Sequence, residues 1–138
     1  MEKYEVRGAT RQVGLYPHAR RVGDLLFLSG IGPRDPETNR TPGLERTESG
    51  FYREFDFAAQ CHSVFRNLRK ILEGSGAKWE NLVDVTIFLT NLQRDFTTYN
   101  AIYAEYFKDA MPCRTTVGID ALPAPIDIEV KAIAWLGN

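Results

Sequence analysis

Between positions 82 and 90 the chain alternates, LVDVTIFLT, with Val83, Val85, Ile87 and Leu89 on one side and Asp84, Thr86, Phe88 and Thr90 on the other. That is the period-two signature of a strand. On either side of it the period lengthens. In DFAAQCHSVFRNLRKILEGSG, apolar groups at Phe57, Cys61, Val64, Phe65, Leu68, Ile71 and Leu72 recur at helical spacing. Asp56 suits the N-cap of this helix, and Gly74 or Gly76 its stop. In RDFTTYNAIYAEYF, the set Phe96, Tyr99, Ile102, Tyr103, Tyr106 and Phe107 predicts a second helix, with Asp95 as its cap. Two strands close the chain, PCRTTVGI and IDIEVKAIAW, joined by the loop DALPAP. Near the start, YEVRG (4–8) alternates like an edge strand. DLLFLSG (24–30) is a continuous apolar run, read as a strand buried on both faces. The GPRDPETNRTPG that follows is dense in turn formers and reads as a loop.

The order of strands, helix, strand, helix, strands predicts an α+β domain, two amphipathic helices on one face of a small mixed sheet. No repeat or linker divides residues 1–138, so a single domain is expected. Alternation then assigns faces. Val117 and Ile119, with Ile126, Ile128 and Val130, form the apolar set expected to meet the helices. Arg114, Thr116 and Gly118, with Asp127, Glu129 and Lys131, are expected on the helix-free side. That side also receives Phe88, Ile133, Trp135 and half of the LLFL run. An apolar face with no segment left to cover it marks association with another chain, so an oligomer, a closed ring, is expected, with Arg114 and Glu129 near the seam.

Composition narrows the function. The net charge is -1 and no run of like charges occurs, which argues against nucleic-acid binding. Cys61 and Cys113 cannot form a disulfide framework, and with His18 and His62 they are not spaced as metal ligands. No signal-peptide core or membrane-length apolar run is present, so the cytoplasm is the expected compartment and no membrane partner is expected. His62, beside the stripe of the first helix, reads as a boundary histidine, and Cys113 as a small core residue. The GIG of 30–32 lacks the third glycine of a dinucleotide loop, Asp35 standing in its place.

Two roles fit Arg114 and Glu129. They form a structural ion pair, or Arg114 grips a substrate carboxylate in bidentate fashion while Glu129 handles protons or a water.

Taken in order, GLYPHARRVGDLLFLSGIGPRDPET, VDVTIFLTNL, YNAIYAEYF, CRTTVGIDALP and IEVKAIA resemble the RidA (YjgF-type) family of enamine and imine deaminases, over nearly the whole chain. The resemblance implies a chorismate-mutase-like α+β subunit, a homotrimeric barrel with clefts between subunits (trimers pairing into hexamers being an open question), and no cofactor or metal. By the same resemblance Arg114 is the carboxylate-binding arginine and Glu129 the residue that handles the attacking water. Tyr16, Ser29, Gly30, Asn100 and Thr116 are implied as substrate-binding positions. Thr116 stands where a cysteine is usual and Gly118 where a glutamate is usual, and the loop GLERTESGFYREF is longer than usual. A narrower likeness is to the 2-aminomuconate deaminases, which implies conversion of 2-aminomuconate to 2-oxohex-3-enedioate and ammonia in aromatic-compound degradation. A smaller residue at 118 would suit that longer acid. A second carboxylate needs a second cation, for which Arg34, Arg20 and His18 are the candidates. The alternatives are a general 2-iminopropanoate or 2-aminoacrylate deaminase, and a non-catalytic carboxylate-binding module of the same fold.

Overall fold

The computed structural model describes residues 2–137. In chain order the strands are β1 (Glu2–Tyr4), β2 (Ala19–Val22), β3 (Leu25–Leu28), β4 (Leu44–Arg46), β5 (Tyr52–Phe55), β6 (Leu82–Leu89), β7 (Cys113–Gly118) and β8 (Ile128–Trp135). Helix α1 (Phe57–Gly74) precedes β6, and α2 (Leu92–Phe107) links β6 to β7. Six strands form one sheet in the order β1-β2-β3-β8-β6-β7, and β4 and β5 form a separate hairpin. Among the described residues only the β6–β7 pair is parallel, as a strand–helix–strand crossover requires.

Both helices cover one face, as the periodicities predict. Leu26, Leu28, Val85, Ile87, Leu89, Ile128, Val130 and Ala132 are buried beneath Cys61, Val64, Phe65, Leu68 and Leu72 of α1 and Tyr99, Ile102 and Phe107 of α2. Asp56 caps α1, its Oδ1 accepting from Ala59 N at 3.2 Å, and Gly76 just beyond the helix takes φ +85°. Burial pushes the Cys61 thiol up to about 12, so it is an inert core group. No helix among the described residues is long and apolar enough to cross a membrane.

The helix-free face is as apolar as the alternation implies. Val22, Leu25, Phe27 and Trp135 are between 36% and 45% exposed on it, so the strand expected to be buried on both faces is covered on one face by this chain alone.

Several expectations need correction. The cap of α2 is Asn91, whose side chain accepts from Arg94 N. Asp95 lies inside the first turn, buried and held by both the Nε and Nη2 of Arg94. β1 ends at Tyr4 because the chain turns away there, with Val6 buried against Gly74 and Gly8 at φ +82°. β2 was not legible, since its ARRV has no alternation of its own and is recruited by β1 and β3. A register shift between Leu82 and Asp84 exposes Val83 and buries Leu82 instead.

The largest correction concerns β7. Its parallel register sets Arg114 beside Val85, Thr116 beside Ile87 and Gly118 beside Leu89, all three partners lying on the helix-covered face. Arg114, Thr116 and Gly118 therefore point towards α2, and Cys113, Thr115 and Val117 point to the open face. The apolar residues of an edge strand here serve the open face, while α2 meets polar and small ones: Tyr99 bonds Thr116, and Leu92 fills the space above Gly118.

Asp127 is the second reversal. It lies just before β8, 3% exposed, and turns into the helix layer. Gln60 Nε2 donates to its Oδ2 (2.9 Å), Thr90 Oγ1 to its Oδ1 (2.8 Å), and its own N–H donates to Gln60 Oε1 (2.9 Å). Arg94 and Arg46 approach the same carboxylate at 3.7 and 3.9 Å. Asp127→Ala strands the Gln60 and Thr90 donors of this network, and is expected to cost about 3 kcal/mol in urea unfolding. Thr90→Val removes one bond of the set and should cost about 1 kcal/mol; equal losses for the two variants would show that Asp127 is no hub.

Candidate active site

The residues singled out from sequence fall into two groups on different elements. The first surrounds Glu129. β3 runs into Ser29 and Gly30, after which Ile31 pairs with Val130 through two backbone bonds, N to O at 2.8 and O to N at 2.9 Å. This places Gly30 directly against the Glu129 side chain, where a Cβ would lie 2.7 Å from Oε2. A side chain at position 30 would therefore displace the Glu129 carboxyl. Ser29 Oγ donates to Pro17 O (2.7 Å) and Ser29 N to His18 O (3.0 Å), tying down the segment that carries Tyr16. Tyr16, Ser29, Gly30 and Glu129 line one cleft together with His18 and Arg34. Burial raises the Glu129 pKa, so its carboxyl is a readier proton carrier than an exposed glutamate.

The second group surrounds Arg114. Its Nη1 donates to Asn100 Oδ1 on α2 at 2.8 Å. Its guanidinium carbon lies 4.6 Å from the Tyr103 ring centroid and 5.3 Å from that of Tyr99. Tyr99 OH in turn bonds Thr116 Oγ1 at 2.7 Å. Both phenols are raised by burial, Tyr103 up to about 12, so the rings stay neutral and present their π faces to the cation. The arginine is thus oriented yet exposed, at the free edge of the sheet. Tyr99 and Tyr103 were visible in the sequence only as part of an apolar stripe. The available signal was their flanking of Asn100 on one turn of helix.

Within one chain the two groups do not meet. Arg114 is registered on Val85 and Glu129 on Phe88, residues that point to opposite faces of β6. The strands bearing them are separated by two interstrand spacings, ~10 Å. An intrachain ion pair between Arg114 and Glu129, one of the two sequence readings, is excluded. A site that uses both draws them from two chains.

Other candidates sort as follows. His18 accepts from Val6 N at Nδ1 (2.8 Å), and its Nε2 faces Thr10 O (2.8 Å), so the ring is committed to the backbone. Arg20 is registered on Phe27 of the open face. Arg34 remains in the Glu129 cleft. Gly118 does not enlarge a substrate space, because a Cβ there would stand 3.0 Å from Leu92 Cβ. His62 bonds Tyr106 OH at 2.9 Å, as a boundary histidine should, whereas Cys113 is exposed on the open face and not a core residue.

Residues 7–136 match the family model described as Endoribonuclease L-PSP. A RutC family protein of Pyrococcus abyssi is 35% identical over 127 residues, covering 92% of this chain and 91% of its own. The chloroplastic Reactive Intermediate Deaminase A of Arabidopsis thaliana is 37% identical over 93% of this chain and 62% of its own length. Among solved structures, that of the YjgF gene product of E. coli superposes with a TM-score of 0.83 at 29% identity, over 98% of both chains. Sequence, extent and fold agree, and the chain belongs to the Endoribonuclease L-PSP family, which takes in the RutC and RidA proteins.

Proposed function

We propose that this protein hydrolyses the C–N bond of an enamine or imine carboxylate, with 2-aminomuconate as the substrate it fits best. The observation that carries this reading is the setting of Arg114, a guanidinium fixed by Asn100 and two tyrosine rings with N–H donors left for a carboxylate. The deaminase name of the Arabidopsis relative supports the reaction class. The acid is assigned on the narrower sequence likeness.

The enamine first tautomerises to the imine. Arg114 holds the carboxylate beside the imine carbon and draws electron density from it. Water adds to that carbon as Glu129 takes its proton, and the same carboxyl then returns a proton to the nitrogen. The C–N bond breaks, so 2-aminomuconate and water give 2-oxohex-3-enedioate and ammonia. Positioning and proton transfer of this kind contribute ~10²–10⁴-fold. The ribonuclease in the family's description is not carried over to this chain, whose net charge of -1 offers no broad basic face to a phosphate backbone.

Since one chain cannot bring Arg114 to its own Glu129, the reading includes a ring of three subunits. The apolar open face with Val22, Leu25, Phe27 and Trp135 supports association, and the exposed β7 edge would lie over a neighbour's Glu129 cleft. Arg114→Ala should abolish ammonia release and leave the oligomer intact. Glu129→Gln should lower kcat by ~10²–10⁴-fold. Co-refolding the two inactive variants in equal amounts should restore about a quarter of wild-type activity, because random mixing rebuilds that share of shared sites. No recovery from stable mixed oligomers would place both groups in one chain's site or in none. Ammonia release from 2-iminopropanoate, measured beside 2-aminomuconate, separates the short-acid alternative, and binding without turnover of either separates the non-catalytic one.

Glu129 also sets a pH dependence. Its folded pKa is raised, so it resists ionising in the folded state and stability is lost as pH rises from the unfolded carboxyl range through the shifted value. Glu129→Gln should therefore be more stable than wild type at pH 7, with the difference shrinking towards pH 4. A gap in thermal midpoint that is flat with pH would contradict this.

A further inference from the structure

The β4–β5 hairpin and the segment before it enclose a second cleft, lined by Arg34, Arg40 and Arg46 with Glu45 and Glu54. Arg34 and Ala124 also line the Glu129 cleft, so the two spaces adjoin at these residues. Within one chain the Glu129 cleft offers about 70 Å³ and the arginine cleft about 790 Å³.

Three arginines lining one cleft suit an anionic ligand. Arg34 is held rigidly, donating from Nη1 to Asn39 Oδ1 (2.7 Å) and from Nη2 to Arg11 O (3.0 Å), neither of them a carboxylate. The Arg40 side chain is exposed and has no hydrogen bond or ion pair among the described residues. Arg46 leans on Tyr52 OH at 3.3 Å and on Asp127 at 3.9 Å, which fixes the hairpin to the body of the domain. Of the two lining carboxylates, Glu45 is already paired with Arg53 at 3.2 Å. The cleft is built on an ordered frame and carries excess positive charge.

We infer that the Arg34–Arg40–Arg46 cleft is the subsite for the distal carboxylate of a dicarboxylic substrate whose reacting carbon lies at Glu129. What happens at Glu129 rests on the deaminase reading above; recognition of the second carboxylate does not. Arg34, at the junction, offers a planar fork matched to a carboxylate, and Arg40 closes on it from the solvent side. A monocarboxylic acid leaves these charges to water, so the hairpin selects for a second negative charge at a distance.

The test uses hexa-2,4-dienedioate and hexa-2,4-dienoate, which lack the amino group and cannot react, titrated calorimetrically into the full chain. The dienedioate should bind ~10–100-fold tighter than the dienoate, the range for hydrogen bonds to charged groups. Arg40→Ala, a surface change with no partner to lose, should reduce that preference about tenfold, and Arg34→Gln at least as much. Lys108→Gln, a remote change of equal charge, should leave the ratio as it is. Equal affinity for the two acids, or a preference indifferent to both arginine substitutions, overturns the subsite. Ammonia release from a dicarboxylic enamine with a ratio insensitive to Arg40 would overturn it too, and leave the deaminase reading standing. Arginine-dependent dienedioate binding without turnover would do the reverse.

Discussion

One buried carboxylate decides how the parts of this molecule fit. Asp127 is nearly inaccessible, and a charge so placed is tolerated only when donors surround it. Its donors are Gln60 on α1 and Thr90 at the end of β6, and two cations stand near it, Arg94 in the first turn of α2 and Arg46 on the hairpin. None of these can shift without uncovering the charge, so helix layer, sheet and hairpin are coupled through it. Glu129 follows two residues later, on the strand whose entry Asp127 anchors. The catalytic carboxylate in the proposed mechanism thus inherits its position from a structural one.

A second constraint is the pleat of β6. Neighbours on that strand point to opposite faces, so β7 and β8, registered on it from either side, present Arg114 to the helices and Glu129 to the open face. The separation is not a defect of the pairing. It leaves each group in the environment its proposed task needs, the cation oriented and wet, the acid partly desolvated. An association that covers both the open face and the β7 edge would dry the two groups together, raising the strength of every interaction between them.

The sequence made the layers legible because long periodic stretches commit their residues to a core. The 18-residue α1, its Asp56 cap and the buried alternation of β6 and β8 are of this kind. β7 was misread because its apolar Val117 and Ile119 suggested the core face. At a sheet edge the covering helix is thin and meets Thr116 and Gly118 instead. Asp127 was misread for a related reason. Alternation was extended past the end of a strand, where the backbone no longer enforces it. For the site, residue types were legible and juxtapositions were not. Arg114 and Asn100 were each identified, yet their bond depends on the register of β7 under α2, which no local pattern encodes.

The hairpin β4–β5 stands apart from the main sheet. Its strands pair with each other and not with the main sheet, so its length is free to vary at little cost to the core. Yet it is not loose. Arg46 reaches the Asp127 hub, and the Arg94 guanidinium stacks on Phe55 with its carbon 4.2 Å from the ring centroid. An element fastened at its root and facing a cleft that adjoins the one at Glu129 can change what enters without changing what reacts. Selectivity of that kind is set by charges that the reacting groups never touch. On the proposed reading, the reaction and the choice of acid are therefore separable, the first carried by β7 and β8 and the second by the arginines around the hairpin.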